Sequence, residues 1–358
     1  MGVIGAYDCG TLAYSGYLTD LNTLPNMNLE RSWWDQNANE DLAILNKLFF
    51  TEGDISLTYK KVTHCILFNK ELIVQYPTLQ NPYELVENDN WTFDTFAEEV
   101  KKISEDLNAN QTADKEDRFG LMSWNDPHLA VITASGEKIL TVKDDGTLSL
   151  TLYTDRSEEA LRKYCEMLFD SEHAFNYQYN APSSEWNTTR DAVFNENRAL
   201  YYMTTFVTVA RHRNMDTDFG ILPYPKLDAE QEEYYHTDTP FSTSFVCVPF
   251  LIEDEDRTGA IMETLAYYSK QYLTPAYYEQ TLVGTYIRDD ESEEMLDLIF
   301  ATRCYDLGSY YDVGAIGSKL TAMLNTRTFT FASLCAGISD TAKAQVEDIN
   351  TKYSGINN

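Results

Sequence analysis

The chain has 358 residues, with 57 acidic and 27 basic side chains and a formal net charge of -30. Because a single hydrophobic core seldom grows beyond about 250–300 residues, this length predicts two domains or lobes. The acidic excess repels phosphate backbones and anionic lipid heads, so neither nucleic acid nor an anionic membrane is an expected partner. The aromatic content of 13% supplies apolar faces with polar tips, which suit sugars or peptides as well as a core.

Cysteine and hydropathy patterns narrow the class further. The six cysteines are widely spaced without a CxxC pair, which argues against zinc knuckles and thioredoxin-type motifs. Cys65 and Cys247 stand in apolar runs, as small core residues do, while disulfides stay open. The apolar run from Phe245 to Ile252 is far shorter than the roughly 20 residues of a membrane helix. No basic segment with an apolar stretch precedes Gly5, so we expect no secretory signal within this sequence.

The first elements in chain order are a helix, a tryptophan pair and a strand. Gly10 to Leu21 carries apolar residues at helical spacing and predicts a short helix. Trp33 and Trp34 follow, and because neighbours on a helix point in different directions, at most one is expected to be fully buried. The other either anchors a packed loop or faces a ligand cleft. Val62 to Asn69 is rich in β-branched and aromatic residues and predicts a strand.

The clearest helix follows Thr92, an N-cap that Trp91 and Phe96 flank as a hydrophobic staple. It leads into a polar loop whose side chains stand at the ligand positions of a calcium loop. Gln111 occupies the position that needs Gly, and the last ligand is Asp117 instead of Glu, so a polar surface loop is favoured over calcium. No metal or other cofactor is predicted. The loop side chains are Asp106, Asn108, Asn110, Thr112, Asp114 and Asp117.

The sequence in the middle of the chain predicts further strands and a sheet edge at which a ligand is expected. Phe119 to Trp124 is a strand, and Lys138 to Leu152 is a hairpin. Arg198 to Thr205 and Asp218 to Leu222 are buried strands on either side of a helical stretch. In open α/β sheets, ligands lie beyond the carboxyl ends of parallel strands, so the turn from Thr204 to Phe206 is expected to meet a ligand.

The remaining elements are a loop, a strand and helices. The acidic stretch from Asp228 to Asp238 is predicted as a surface loop, and Phe245 to Pro249 as a buried strand. Ala260 to Leu273, Glu291 to Tyr305 and Thr328 to Tyr353 are predicted as helical. In the first of these helices, the residues expected to face inward are Ile261, Leu265, Tyr268 and Tyr272.

The motifs of common enzyme classes are absent from the sequence. It contains no GxSxG, HExxH, Walker or GxGxxG pattern, and its five histidines lack metal-ligand spacing. A carboxylate pair for glycoside hydrolysis stays open, because that geometry is spatial and not sequential. An aromatic-rich chain without a catalytic motif favours a binding protein over an enzyme.

Seven segments stand in a fixed order along the chain: Leu12 to Leu21, Arg31 to Ala43, Ile66 to Leu72, Trp91 to Ile103, Asp117 to Trp124, Phe194 to Tyr202 and Asp216 to Lys226. Together they resemble the extracellular solute-binding proteins of family 1, the lipoprotein receptors of ABC importers for sugars that include the maltose-binding protein group. The resemblance implies an α/β, two-lobed periplasmic-binding-protein-like fold of type II. It implies one lobe from 1–72 and 242–288, and another from 73–241 and 289–358.

The resemblance also implies ligand-binding residues in the first lobe. Tyr7 and Asp8 stand where the family presents a polar contact before a helix. Trp33 and Trp34 match a tryptophan pair that lies near the cleft in similar proteins. Since the match starts partway through the first lobe, the resemblance implies that about two βα units of the family precede Met1, which leaves the lobe incomplete at its N-terminus.

In the second lobe, the resemblance points to Trp124, with Asn125 beside it, at the end of a strand. Phe206, following Thr205, falls where related sugar receptors place an aromatic platform. Thr239 to Thr243 replaces the small, Gly-containing crossing of many relatives.

The function implied by the resemblance is that of a non-enzymatic, extracytoplasmic receptor for a sugar or oligosaccharide. Its partners would be the permease subunits of an ABC transporter, and we expect a monomer. The expected location is the cell surface, as a lipoprotein, or the periplasm. Two alternatives stay open: a secreted carbohydrate-active enzyme, and a receptor for a peptide or another polar solute.

Overall fold

A computed structural model of the protein describes residues 1–278 and 289–356. Strands form where β-branched and aromatic residues cluster, as in the run HCILFN. In chain order, the strands of these ranges are β1 (Gly2–Gly5), β2 (Phe50–Thr51), β3 (His64–Asn69), β4 (Ser104–Glu105), β5 (Arg118–Ser123), β6 (Leu140–Val142), β7 (Leu148–Leu150), β8 (Ala174–Asn176), β9 (Ala199–Thr205), β10 (Phe219–Leu222) and β11 (Ser244–Cys247).

Many helices begin where the sequence offers a capping side chain. Thr92 accepts a hydrogen bond from the Thr95 amide at 3.3 Å, which confirms the predicted N-cap. In the two described ranges, no helix combines the length and the apolar content needed to cross a bilayer. The helices are α1 (Ala6–Tyr14), α2 (Gln36–Asp41), α3 (Thr58–Val62), α4 (Lys70–Gln75), α5 (Pro82–Glu87), α6 (Phe93–Val100), α7 (Pro127–Ala134), α8 (Asp155–Phe169), α9 (Tyr177–Asn180), α10 (Trp186–Asn195), α11 (Phe206–Val209), α12 (Glu255–Tyr268), α13 (Asp290–Ala301), α14 (Leu307–Tyr310), α15 (Ile316–Thr326) and α16 (Phe331–Gly355).

The smaller sheet has three antiparallel strands in the order β1, β11, β2. Val3 pairs with Val246, which pairs on its other side with Thr51. Since β1 and β2 both run opposite to β11, they are parallel to each other, and their carboxyl ends lie at the same edge. This edge carries Tyr7 after β1 and Glu52 after β2.

The larger sheet has the strand order β10, β3, β9, β5, β4, with β8 also paired to β5. Strands β5, β8 and β9 are parallel, whereas β3 runs antiparallel to both β9 and β10. The predicted strand, helix, strand segment therefore supplies two parallel strands, β9 and β10, with β3 between them. The carboxyl ends of β5 and β9 lie at one edge, which carries Trp124 and Phe206.

Strand β3 is buried on both faces of the larger sheet. Ile66 and Phe68 belong to the main apolar core, whereas Cys65 and Leu67 belong to a second core on the opposite face. Burial on two faces produces a continuous apolar run instead of an alternating one, which makes such strands easy to recognise. The strands predicted at 62–69, 119–124, 198–205, 218–222 and 245–249 are confirmed as β3, β5, β9, β10 and β11.

Two other local predictions have mixed outcomes. The hairpin is confirmed, with Leu140 paired to Leu150 and Gly146 at a φ of 80° in the turn, a conformation that favours glycine. The first helix, predicted from Gly10, begins earlier, at Ala6, directly after β1. The strand end therefore delivers its next side chains to the start of a helix.

Helix α12 occurs where it is predicted, but its predicted orientation is wrong. The four residues expected to face inward are exposed, and the buried face carries Gly259, Met262 and Ala266 instead. An added Cβ at Gly259 would lie 1.9 Å from the Pro25 carbonyl oxygen, so small residues bring the helix close to the preceding loop. That close packing sets the helix orientation. The exposed residues are Ile261 and Leu265 on α12, Tyr268 at its end, and Tyr272 in the π-helical turn Ser269–Leu273.

The acidic stretch predicted as a surface loop is wrong for its second half. Tyr234, His236 and Asp238 are buried. The His236 amide donates to the Thr302 carbonyl at 3.0 Å, and the Cys304 amide donates to the His236 carbonyl at 2.8 Å. Burial lowers the pKa of His236 to about 3, so the ring is neutral there. Because the backbone of His236 is hydrogen-bonded and its ring is neutral, this part of the stretch can be buried although its composition is acidic.

Three segments run side by side between the two sheets, and we call this region the junction. Thr63 is bridged to Asp238, and His236 is bridged to Arg303. Thr63 leads directly into β3, and Thr243 leads directly into β11. Because β3 and β11 run antiparallel to β9 and β1, the carboxyl edges of both sheets face the junction. The three segments are residues 62–64, 236–243 and 302–304.

The division of the chain into lobes stays a prediction. Strand β3 is hydrogen-bonded within the larger sheet, although the predicted boundary at 72 assigns it to the first lobe. This pairing favours a boundary before His64. The predicted boundary at 288 lies outside the described residues.

Candidate functional site

A cavity of about 490 Å³ lies beside the junction between α1, α14 and α16, and we call it the α1 cavity. Its volume falls in the roughly 300–1,000 Å³ range of small-molecule sites. Aromatic and polar side chains share its wall, so it can hold a ligand by contact with ring faces and by hydrogen bonds. The lining residues are Tyr7, Gly10, Thr11, Tyr14, Tyr310, Tyr311, Asp312, Gln345 and Ile349.

The wall of the α1 cavity is held by its own hydrogen bonds. The Thr11 hydroxyl donates to the Tyr7 carbonyl at 2.9 Å. Gln345 joins two segments, because its Nε2 donates to the Tyr311 carbonyl at 3.0 Å and its Oε1 accepts from the Gly314 amide at 3.0 Å. A wall fixed in this way loses little conformational entropy when a ligand binds.

Tyr7 connects this cavity to the junction. Its half-buried ring lies 5.8 Å from the ring of Phe241, which is 50% exposed. An added Cβ at Gly317 would lie 3.7 Å from both the Tyr7 hydroxyl and Phe241, so the absence of a side chain there leaves room beside the two rings. Burial raises the pKa of Tyr7, and the negative charges of Asp312 and Asp126 raise it further.

Asp126 approaches the same place from the larger sheet. It follows β5 by three positions, and its Oδ2 accepts a hydrogen bond from the Thr239 hydroxyl at 3.0 Å. Burial raises the pKa of Asp126 to about 6, and the Thr239 hydroxyl opposes that rise. The carboxyl end of one sheet is thereby tied to the chain segment that leads into the other.

Trp124 and Asn125 also stand at the carboxyl end of β5. Asn125 is held on three sides: its side chain donates to Asn325 at 2.8 Å and accepts from Asn176 at 2.9 Å, and its amide donates to Gln178 at 3.0 Å. The indole N–H of the half-buried Trp124 has no acceptor among the described residues. That donor is an unsatisfied polar group at this edge.

Thr205 and Phe206, predicted as ligand-facing, are buried. Phe206 is only 2% exposed, its ring lies 5.1 Å from that of Phe300, and its amide donates to the Thr63 carbonyl at 3.2 Å. The strand end therefore lies at the junction as the topology predicts, but the Phe206 ring packs in the second core and Thr205 is buried within the sheet. Their role in binding stays a prediction that requires a different arrangement of the junction.

The tryptophan pair divides as the sequence predicts. Trp34 is 2% exposed, and its indole N–H donates to Glu263 at 3.0 Å. Trp33 is half-buried in an outer groove, with its ring 5.3 Å from Tyr267 and the Arg31 guanidinium 5.8 Å from its centroid. Asp8, one residue after Tyr7, is exposed. Of the predicted ligand residues, Tyr7 lines the α1 cavity.

A second polar region, which we call the junction cluster, is buried in the junction itself. The Thr243 hydroxyl lies 3.1 Å from Glu52 and 3.2 Å from Asp238, and the Thr63 hydroxyl lies 2.7 Å from Asp238. A hydroxyl has one proton, so Thr243 can donate to only one of its two carboxyl partners. The other contact becomes a hydrogen bond only if that carboxyl group is protonated.

Electrostatics agree with a shared proton in the junction cluster. Burial raises the pKa of Glu52, and the negative charge of Asp238 adds to the rise. Burial likewise raises the pKa of Asp238 to about 6, although the Arg303 charge opposes it. Two carboxyl groups in one low-dielectric site do not ionise independently, so we treat them as a pair with one proton between them.

Arg303 is the cation of this cluster. Its guanidinium carbon lies 4.2 Å from the centroid of Tyr59, and one of its terminal nitrogens is paired with Asp35. The Tyr305 hydroxyl, which belongs to the same cluster, donates a hydrogen bond to Glu52 at 2.9 Å. Aromatic contact and one buried ion pair thus hold a charge that burial would otherwise disfavour.

The polar loop that resembles a calcium site directs its carboxylates to its own backbone. Asp106 accepts from the Gln111 amide at 2.8 Å, and Asp117 accepts from the Asp114 amide at 2.9 Å. These bonds are the turns of a polar surface loop, the structure that the sequence favours here.

Several residues of the site escape sequence reasoning. Asp126, Phe241, and the neighbouring pair Asp312 and Gly317 come from three distant parts of the chain, and none belongs to a motif. Asp126 offers the one usable signal, because it follows the predicted strand end together with Asn125. The others are brought together by helix packing that the linear pattern does not encode.

No protein-family model matches this sequence, and no curated protein sequence matches it either. Solved structures match it in fold. The galacto-N-biose/lacto-N-biose I-binding protein of an ABC transporter from Bifidobacterium longum, in complex with lacto-N-biose, matches with a TM-score of 0.61 and 12% identity. That alignment covers 97% of this chain and 82% of the other.

Two further structures agree. An ABC substrate-binding protein from Listeria monocytogenes, in complex with cycloalternan, matches with a TM-score of 0.56 and 13% identity over 98% of this chain and 84% of its own. UgpB from Mycobacterium tuberculosis, in complex with glycerophosphocholine, matches with a TM-score of 0.59 and 15% identity over 94% and 80% of the two chains. At such low identity the likeness shows the fold alone, and that fold is two-lobed, α/β and periplasmic-binding-protein-like.

Proposed function

We propose that this protein is an extracytoplasmic receptor of an ABC transporter, which binds a sugar or oligosaccharide between its lobes and presents it for import. In this proposal the protein is a monomer that catalyses no reaction, and the permease subunits are its partners. Its location is the cell surface, as a lipoprotein, or the periplasm.

The observation that carries the proposal is the meeting of Tyr7 and Asp126 at the junction. These residues follow strands of different sheets, and ligands of α/β folds lie beyond the carboxyl ends of strands. The α1 cavity adds the rings of Tyr7, Tyr14 and Tyr311, and polar groups from Asp312 and Gln345. Ring faces for C–H groups with polar groups for hydroxyls are the chemistry that a sugar requires.

The solved neighbours support the same class of ligand. Two of the three named structures hold an oligosaccharide or a disaccharide, while the third holds glycerophosphocholine. All three are binding proteins by name or by the ligand they hold. The fold is therefore compatible with more than one polar solute, and the sugar assignment rests on the composition of the α1 cavity.

The test is ligand binding by the 358-residue chain, measured by calorimetry and by thermal shift. The probes are maltotriose, lacto-N-biose, triacetylchitotriose and, as the peptide alternative, trialanine. We expect a sugar to raise the melting temperature, since a ligand at one hundred times its Kd stabilises the folded state by about 2.7 kcal/mol. Chromatography of the recovered sugar should show no cleavage. A response to trialanine alone, or release of smaller sugars, would contradict the proposal.

Tyr7→Ala locates the binding site. Because Tyr7 lines the α1 cavity, we expect sugar affinity to fall at least about tenfold, equivalent to ~1.4 kcal/mol. Tyr7→Phe should lose less, since it keeps the ring. The matched control is Tyr179→Ala, which removes an exposed tyrosine from α9. Equal affinities for the Tyr7→Ala variant and the control would move the site away from this cavity.

A further inference from the structure

We infer that the α1 cavity selects uncharged sugars and rejects sugars that carry carboxylate, sulfate or phosphate groups. This inference rests on the proposed function and specifies its substrate class. It depends on which charged groups surround the cavity and on how they are paired.

The wall of the α1 cavity carries one charged side chain, and that side chain is acidic. Asp312 is exposed at the cavity, while the other lining residues are uncharged. Among the described residues, no lysine or arginine lines this cavity. An anionic ligand would therefore meet a carboxylate without meeting a cation in the wall.

A second carboxylate, Asp126, lies on the junction side of the cavity, where it bonds to Thr239. Asp126 and Asp312 both act on Tyr7, whose pKa rises through burial and through their negative charges. Asp8 adds an exposed acidic side chain at the first turn of α1. Asp126 and Asp312 come from two separate segments, so the negative charge that acts on Tyr7 has more than one source.

Lys352 contacts Tyr14 in the wall of the cavity, and its ammonium group is already engaged. The Lys352 ammonium lies 3.3 Å from the centroid of Tyr14 and 3.9 Å from Asp348. Tyr14 is itself hydrogen-bonded to Asp348. Lys352 is thus held by a carboxylate and by an aromatic ring, and an anionic ligand would compete with Asp348 for it.

The physical consequence is a like-charge penalty. When two like charges face each other across a binding surface and lose their water, binding is weakened by several kcal/mol. The net charge of -30 acts in the same direction at long range, because it slows the approach of anions at low ionic strength. A hydroxyl-rich, uncharged ligand avoids this penalty and can donate hydrogen bonds to Asp126 and Asp312.

The experiment compares matched sugars on the intact chain by calorimetry. The neutral probes are maltotriose, galactotriose and lacto-N-biose, and each is paired with its C6-carboxylate form, for galactotriose the galacturonate trimer. We expect at least one neutral probe to bind and its carboxylate partner to bind at least about tenfold more weakly. We also expect 0.5 M NaCl to narrow this ratio, since salt screens the repulsion. In Asp312→Asn, the ratio of neutral to acidic affinity should fall at least about threefold.

The outcomes separate the inference from the proposed function. If a carboxylate sugar binds as tightly as its neutral partner or more tightly, the inference is overturned and the receptor function stands. If no sugar of either set binds, the proposed function is overturned and the inference with it. If the Asp312→Asn variant binds the neutral probe and its selectivity is unchanged, the Asp312 carboxylate does not cause the selectivity and the inference is overturned.

Discussion

The junction cluster and the neighbouring α1 cavity are two polar regions that are built from the same residue types and differ in what their side chains bond to. In the junction cluster, Glu52, Asp238 and Tyr305 are buried and bond to one another or to threonine hydroxyls. In the α1 cavity, Tyr7 is half-buried and Asp312 is exposed. Buried polar groups must bond within the chain, whereas exposed ones keep capacity for a ligand. Burial, and not residue type, separates the two regions.

Because of this difference, we expect substitutions in the two regions to change different properties of the protein. Changes in the junction cluster should act on the free energy of unfolding, because they leave a buried partner unsatisfied. Changes in the α1 cavity should act on ligand affinity and leave unfolding nearly unchanged. A substitution in one region that has the effect expected for the other region would show that the two regions are one site.

The largest effect is expected for Arg303→Met. Removing the guanidinium breaks the ion pair with Asp35 and takes away the positive charge that acts on Glu52 and Asp238, and breaking a buried pair typically costs 3–5 kcal/mol. Urea unfolding followed by tryptophan fluorescence measures the loss. The control is Arg162→Met, where the half-exposed guanidinium pairs with Glu166 on the surface of α8. Similar losses in the two variants would mean that the cluster is not an electrostatic unit.

Asp238→Asn should stabilise the protein in a pH-dependent way. The pKa of Asp238 in the folded chain is about 6, above its usual value, so the folded state binds this proton more tightly than the unfolded state does. The stability that this group contributes therefore falls as pH rises from about 4 to about 6. At pH 7 the neutral amide removes that loss, which is at most about 3 kcal/mol for a shift of roughly two units.

The measurement is the difference in melting temperature between Asp238→Asn and the parent chain at several pH values. The difference should be largest at pH 7 and shrink as pH falls through 6. Comparing variant with parent at each pH cancels the buried histidines, whose lowered pKa values change stability in the opposite direction. Asp144→Asn, in the exposed hairpin turn, is the control. A constant difference across this range would contradict the shared proton.

Local sequence signals predict the elements that are buried by their own pattern. The run around Ile66 and the cap at Thr92 encode their structures within a few residues, and both are confirmed. The orientation of α12 is not encoded in this way. Its apolar residues have the spacing of an inward face, but Gly259 and the Pro25 loop decide which face is buried. A contact between segments more than two hundred residues apart leaves no periodic trace.

The candidate site is predictable to the same extent. The end of β5 can be named from its position next to a strand, since topology brings carboxyl ends together. Tyr7 is predicted by the family resemblance, because the strand before it is not recognised in the sequence. Phe206 follows from the same argument, yet its side chain packs in the second core. A strand end fixes where the backbone lies and does not fix the direction of the next side chain. Asp312 and Gly317 become visible only once α14, α15 and α16 are packed against α1.

The smallest expected effect on stability belongs to Thr239→Val, which tests the boundary between the two regions. Thr239 is buried in the junction, but its hydroxyl bonds to Asp126, on the ligand side. Losing one hydrogen bond should cost about 1 kcal/mol in unfolding. Since this hydroxyl lowers the pKa of Asp126, its removal should move that pKa above the parent value of about 6.

The decisive readout for Thr239→Val is the pH profile of sugar binding. If ionised Asp126 accepts a sugar hydroxyl, parent affinity falls as pH drops through about 6, and the variant loses affinity at a higher pH because its carboxyl group protonates earlier. Thr239→Ser should restore the parent profile, and Thr264→Val on the exposed side of α12 should leave it unchanged. A variant that loses stability while its binding profile coincides with that of the parent would contradict this prediction. Asp126 would then belong to the junction cluster and not to the ligand site.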